Sequence, residues 1–179
     1  GRSQPFDKLR ANGKEGWFPS MFTGIVTDIG TIRSIEQRGD LRLVIGCAYD
    51  MDGVAIGASI ACSGACLTVV EKGADWFAID ASAETVACTA KGLWVEGGRL
   101  TLARAPKVGD ELGGHIVTGH VDGIGTVVDV SPEGDSHRVP FAVPAAPAPL
   151  IAPQASPPVH GRPLPVPPVH GVAGGARLP

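Results

Sequence analysis

The strongest constraint on this chain is that it repeats itself. Thr23-Gly24-Ile25-Val26-Thr27-Asp28-Ile29-Gly30-Thr31 returns as Thr118-Gly119-His120-Val121-Asp122-Gly123-Ile124-Gly125-Thr126, an offset of 95 residues (118 minus 23). A second pair follows at nearly the same offset, 97 (155 minus 58): Ala58-Ser59, Gly64, Leu67 and Val69 are echoed by Ala155-Ser156, Gly161, Leu164 and Val166. A fixed-period echo marks a duplicated structural unit. Each unit is long enough for a small β-barrel with its own core. Two copies of one pocket could also hold two copies of one small molecule.

Local pattern supports strands. Short runs rich in Val, Ile, Leu and Ala alternate with turn residues, which predicts strands over Gly24–Ile35, Leu41–Cys47, Ser59–Cys62, Cys66–Glu71, Trp76–Asp80, Arg99–Ala105 and His120–Val130. Turns fall at Arg38-Gly39-Asp40, Ser63-Gly64, Lys72-Gly73-Ala74-Asp75 and Glu96-Gly97-Gly98. One helix is expected over Ala83–Ala90, with Ser82 as its N-cap. The expected fold is all-β, a six-stranded antiparallel barrel followed by an incomplete second copy. Residues 1–20 lack either periodicity and read as a disordered extension before a natural start at Met21. The paired glycines of Asp110-Glu111-Leu112-Gly113-Gly114-His115 suggest a close-approach loop leading into the second unit, with His115 structuring it.

The second copy reads differently from the first. Of 16 prolines, twelve lie at or beyond position 140. Pro163 stands opposite Cys66 in the repeat and Pro165 opposite Thr68. Proline removes a ladder donor, so these positions cannot sit in an ordinary central strand. Residues 118–179 therefore read as a truncated, proline-rich second unit, and 140–179 are expected to be poorly ordered.

Composition narrows the function classes. A net charge of −3 offers no basic field for nucleic acid. No run of about 18 apolar residues suggests a membrane span. Four cysteines and no signal-peptide pattern in residues 1–20 point to a cytoplasmic protein with free thiols. Cys62 and Cys66 flank a turn, but no further Cys or His pair completes a zinc set at normal spacing.

Four blocks, taken in order, carry a resemblance. They are Met21-Phe22-Thr23-Gly24-Ile25-Val26, Gly57-Ala58-Ser59-Ile60-Ala61-Cys62-Ser63-Gly64-Ala65-Cys66-Leu67-Thr68-Val69, Ile79-Asp80-Ala81-Ser82-Ala83-Glu84-Thr85, and Gly113-Gly114-His115-Ile116-Val117-Thr118-Gly119-His120-Val121-Asp122. Together they resemble the riboflavin synthase family of the α-chain type, over residues 21–139. The resemblance implies two six-stranded Greek-key barrels, the first over 21–117, and assembly as a homotrimer. It implies that two 6,7-dimethyl-8-ribityllumazine molecules exchange a four-carbon unit, giving riboflavin and 5-amino-6-ribitylaminouracil without metal or redox cofactor.

The same resemblance assigns candidate residues. Gly24, Ile25 and Val26 match a ring contact, though each also suits ordinary strand packing. Ser59 and His120 match polar positions near the reacting ring, where a hydroxyl and an imidazole could move the acidic 7-methyl proton. His120 replaces the apolar Ile25 of the first copy, and Ser59 alone would suit local hydrogen bonding equally. Cys66, Leu67 and Thr68 match a ligand-binding stretch. Cys66 is a nucleophile candidate, with a structural thiol as the plainer reading. Asp80, Ala81, Ser82, Ala83, Glu84 and Thr85 match the contact to ring and ribityl chain, and the same residues would also make a plain capped helix. A non-catalytic lumazine- or flavin-binding protein on the same barrels is the alternative. Low or no turnover is expected from this chain.

Overall fold

The computed structural model describes residues 21–107, 109–111, 113–121 and 123–144, with strand pieces within 158–178. The expectation for residues 1–20 lies outside the described residues, as does most of that for 140–179.

Six strands close into an antiparallel barrel: β1 (Asp28–Arg38), β2 (Asp40–Gly46), β3 (Ser59–Cys62), β4 (Ala65–Lys72), β5 (Trp76–Ala81) and β6 (Arg99–Arg104), in the order β1-β2-β5-β4-β3-β6. Alternation decides which side chains fill it. Ile32, Leu43, Ile45, Ile60, Cys62, Leu67, Val69, Phe77, Ile79, Ala81, Leu100 and Leu102 form the bulk of one buried cluster. Gly30 is required at the tightest point of this interior. A Cβ there would meet Ile45 Cγ2 and Leu102 Cδ1, each at 2.8 Å.

Local chemistry sets the connections. Ser63 and Gly64 both take positive φ (47° and 93°), as a two-residue hairpin turn between β3 and β4 requires. The turn is bolted to β6, since Ser63 N–H donates to Thr101 O (2.7 Å) and Ser63 Oγ accepts from Thr101 N–H (3.3 Å). One end of the barrel is closed by residues 47–53. Asp28 Oδ2 accepts from Ala48 N–H, Lys72 Nζ donates to Met51 O and Arg104 Nη2 donates to Gly53 O, each at 2.6 Å. Within that segment Tyr49 shares a 2.6 Å hydrogen bond with Thr27 Oγ1, and Arg104 lies 5.7 Å from its ring centroid. Burial pushes the Tyr49 phenol up to about 12 and raises the Cys47 and Cys62 thiols.

Two expected elements differ in extent. The first strand begins at Asp28 rather than Gly24 and runs on to Arg38, because Gly24 takes a φ of 76° that interrupts extended backbone. The helix, α1 (Ala83–Cys88), stops short of Ala90. Thr89 Oγ1 donates towards Thr85 O (2.9 Å) and Val86 O (3.1 Å) while accepting from Trp94 Nε1 (2.7 Å), which turns the chain away.

Beyond the barrel, the strand expected over His120–Val130 is confined to β7 (Thr126–Val127). The hairpin β8 (Ser131–Glu133) and β9 (Ser136–Arg138) follows, then β10 (Phe141–Val143), β11 (Pro158–Val159), β12 (Arg162–Pro163), β13 (His170–Val172) and β14 (Gly175–Leu178). A four-stranded sheet has the order β13-β14-β10-β7. The β7–β10 pair of that sheet, and the separate β8–β9 and β11–β12 hairpins, fall near the counterparts of first-barrel pairs, at offsets of 95 to 97. Thr31↔Gly46 and Ile32↔Ile45 recur as Thr126↔Ala142 and Val127↔Phe141. Glu36↔Arg42 and Arg38↔Asp40 recur as Ser131↔Arg138 and Glu133↔Ser136. Ala61↔Cys66 and Cys62↔Ala65 recur as Pro158↔Pro163 and Val159↔Arg162.

Candidate functional site

Strand alternation that sends Ile60, Leu67 and Val69 inward turns Ser59, Ala61, Cys66 and Thr68 onto the outer face of β3 and β4. Ser59 pairs with Thr68 and Ala61 with Cys66, so the four occupy two adjacent levels of one surface. Ala103, opposite Ala61 on β6, continues it, and Ala105 N–H reaches Ser59 O at 3.4 Å. These small side chains make a shallow apolar floor.

A strap crosses that floor. Phe22 and Val117 exchange backbone hydrogen bonds of 2.7 and 2.9 Å, and both side chains are buried against Ala61 and Ala103, with Cys66 and Ala105 packed beside them. His115 N–H donates to Thr23 O at 2.9 Å, a backbone bond that does not involve the exposed imidazole. Gly119 O accepts from Cys66 N–H at 2.8 Å. Gly119 has φ of 71°, and a Cβ on it would meet Cys66 Cβ at 2.7 Å and Phe22 Cε2 at 2.8 Å. Only glycine lets the backbone come this close, and His120 is thereby carried to the edge of the Cys66 surface, exposed.

A polar row extends the surface across the sheet. Thr68 lies one level beyond the Val69↔Ile79 pair, level with Asp80, and Asp80 pairs with Arg42 on β2. Arg42 donates through Nη1 to both Asp80 oxygens (3.2 and 3.4 Å) and through Nη2 to Glu71 Oε2 (2.6 Å). Two residues past Asp80, Ser82 caps α1. Its Oγ accepts from Thr85 N–H at 3.1 Å and lies 3.0 Å from Thr85 Oγ1.

The strand register puts Ser59, Cys66 and Thr68 on one face with Asp80 level with Thr68 and Ser82–Thr85 following it, and the strap whose residues adjoin Gly24 and His120 in sequence crosses that face at Cys66. Ile25 is exposed and Val26 half-buried, just before β1. Leu67 and Ala81 face the other way. Their side chains lie in the barrel core, leaving only backbone groups for an outer ligand. Cys62 and Cys66 point to opposite sides of the barrel wall, Cys62 inward and fully buried, so one ion cannot take both. Among the described residues no group of three or more His, Cys, Asp or Glu is arranged to hold a metal. Sequence reasoning missed Phe22, Gly119 as a contact, and Arg42. The repeat offered a signal for Gly119, which stands where Gly24 stands in the first copy and shares its positive φ.

Known proteins are similar to this chain. The lumazine binding domain family matches residues 23–105. The riboflavin synthase of Brucella abortus (strain 2308) is 43% identical over 152 residues, covering 82% of this chain and 75% of that one. The riboflavin synthases of Chlamydia muridarum (39% over 111 residues) and Bacillus subtilis (36% over 117 residues) align with 62% and 65% of this chain. The chain spans 56% and 54% of those two relatives' lengths. Among solved structures, LumP complexed with 6,7-dimethyl-8-(1'-D-ribityl) lumazine superposes with a TM-score of 0.70 at 22% identity, over 88% of this chain and 84% of that one. LumP complexed with riboflavin gives 0.68 at 24% identity, over 87% and 84%. At these identities the LumP structures share the fold.

Proposed function

The chain belongs to the riboflavin synthase family, and on that premise we propose that its first barrel, residues 21–117, binds 6,7-dimethyl-8-ribityllumazine on the outer face of β3 and β4. The heterocycle lies against Ser59, Cys66 and Thr68, the part of this face left open beside the Phe22–Val117 strap, with Gly24–Val26 alongside. Its ribityl chain runs towards Asp80 and Ser82–Thr85, which supply the donors and acceptors a polyol needs. Ser59 and His120 flank the reacting edge. There a hydroxyl and an imidazole move the 7-methyl proton that must leave before a carbon–carbon bond can form.

The reaction is a transfer of a four-carbon unit between two identical substrates. Riboflavin and 5-amino-6-ribitylaminouracil together hold every atom of the two lumazines, so no external oxidant or reductant enters. What the protein must supply is the meeting of two rings. Holding both in register is worth up to about 7–11 kcal/mol in favourable cases. A second ring needs a second face, which residues 118–179 supply as an incomplete copy of the first, or which another subunit supplies in a homotrimer.

The observation that supports this reading best is the Cys66 N–H to Gly119 O bond, which holds the residue before His120 against the Ser59–Thr68 face. A second reading, a single-site lumazine or flavin binder, rests on Pro163. At the counterpart of Cys66 it has no N–H to give, so the matching clip cannot form in the second copy. Adding the lumazine and following both its fluorescence and the appearance of riboflavin tests the pair. Saturable binding with slow turnover, lowered further in Ser59→Ala and His120→Gln, is the expected result. Binding with no riboflavin selects the second reading, and no binding at all removes both.

A further inference from the structure

We infer that Arg42 is a positioning residue that holds the Asp80 carboxylate as the acceptor for ribityl hydroxyls. The inference rests on the lumazine-binding reading above and adds a residue to it. Arg42 is the sheltered member of a three-strand cluster. Its side chain is 15% exposed, against 39% for Asp80 and 59% for Glu71. The short bond goes to Glu71 (2.6 Å), while both bonds to Asp80 are longer (3.2 and 3.4 Å). The guanidinium is therefore anchored on β4 by Glu71 and leans on Asp80 from one side. A carboxylate has about four lone-pair sites, so Asp80 keeps acceptor capacity directed away from Arg42. Its charge is partly offset by a guanidinium shared with Glu71, and its rotamer is restrained at the border between the Ser59–Thr68 surface and the start of α1. Sugar-alcohol recognition needs an acceptor held in that way. An unpaired carboxylate would be mobile and would repel the neighbouring Glu71.

The test compares ligands with and without the polyol. The full chain and its Arg42→Met and Arg42→Lys variants are titrated by fluorescence with 6,7-dimethyl-8-ribityllumazine and with 6,7,8-trimethyllumazine. Arg42→Met is expected to weaken the ribityl ligand about tenfold, the scale of one charge-assisted hydrogen bond, and to leave the trimethyl ligand within about twofold. Arg42→Lys keeps the charge without the fork and is expected to fall between, about threefold. If Arg42→Met does not fold, Arg42→Lys carries the comparison alone. In an Asp80→Asn background the Arg42 substitution should cost no further ribityl affinity. Equal losses on both ligands, or none on either, overturn the inference. A wild-type chain that binds neither ligand overturns the underlying reading and this inference together. One that binds both equally well leaves lumazine binding intact and removes the role of Arg42.

Discussion

The barrel of residues 28–104 and the strand pieces of 126–178 share pairings but not substance. Thr31↔Gly46 in the first region and Thr126↔Ala142 in the second are the same rung of the repeat, yet β1 has 11 residues and β7 has two. Ile32 is 1% exposed, while its counterpart Val127 is 51% exposed. The contrast teaches that register and burial have separate causes. Register is fixed in part by turns, such as the one that joins β8 to β9. Burial needs uninterrupted alternation through neighbouring strands. Leu67-Thr68-Val69, within the eight-residue β4, supplies it in the first region, whereas β7 has two residues and β10 three. We accordingly propose that residues 118–179 are a second unit in which the pairing plan outlasts the core.

The sharpest way to break that comparison is a matched pair of truncations. Ile32→Ala should cost about 2–5 kcal/mol in urea unfolding, and Val127→Ala no more than about 0.5 kcal/mol. Similar costs at both sites would mean that the second region has a core of its own. Gly119→Ala probes the junction between the regions. A methyl forced against Cys66 Cβ and Phe22 should cost about 1–3 kcal/mol and speed hydrogen exchange at the Cys66 amide, leaving the Phe77 amide protected. The smallest effect at neutral pH concerns Tyr49, the chain's only tyrosine and so a reporter of the first region alone. Its phenol is raised to about 12 when folded, so the folded state holds the proton longer than the unfolded chain. Stability from this group is complete below about pH 10, the unfolded value, and is lost as pH rises towards 12. Phenolate absorbance should titrate near 12 in buffer and near 10 in urea, and Tyr49→Phe should lessen the alkaline fall in urea midpoint, the rest coming from the buried Cys47 and Cys62 thiols.

Much of this was legible in the residues themselves. Ser59–Cys62 forms the expected strand, and Ser63-Gly64 the expected turn, because alternation and a two-residue positive-φ turn are local signals. Thr89 was not legible as a helix stop, since the bond that ends α1 comes from Trp94. The side chains of Leu67 and Thr68 part company by strand parity alone, a distinction that a motif spanning both residues does not express. Arg42 was hidden for a different reason. A charged residue in a strand looks like a solvated position until the register sets Asp80 opposite it and Glu71 within reach.

The hydrogen bonds that join Phe22 to Val117 link a position to its own repeat equivalent, because 117 minus 22 is also 95. Such a handshake is self-matching: each partner offers the other what it receives, as at the two-fold axis of an isologous dimer. Two separate half-length chains could clasp in the same way without any new surface. Tandem fusion would then have invented no contact. It would have converted an encounter between twins into a tethered one, raising their local concentration and freeing one twin to drift in sequence while the other kept its shape.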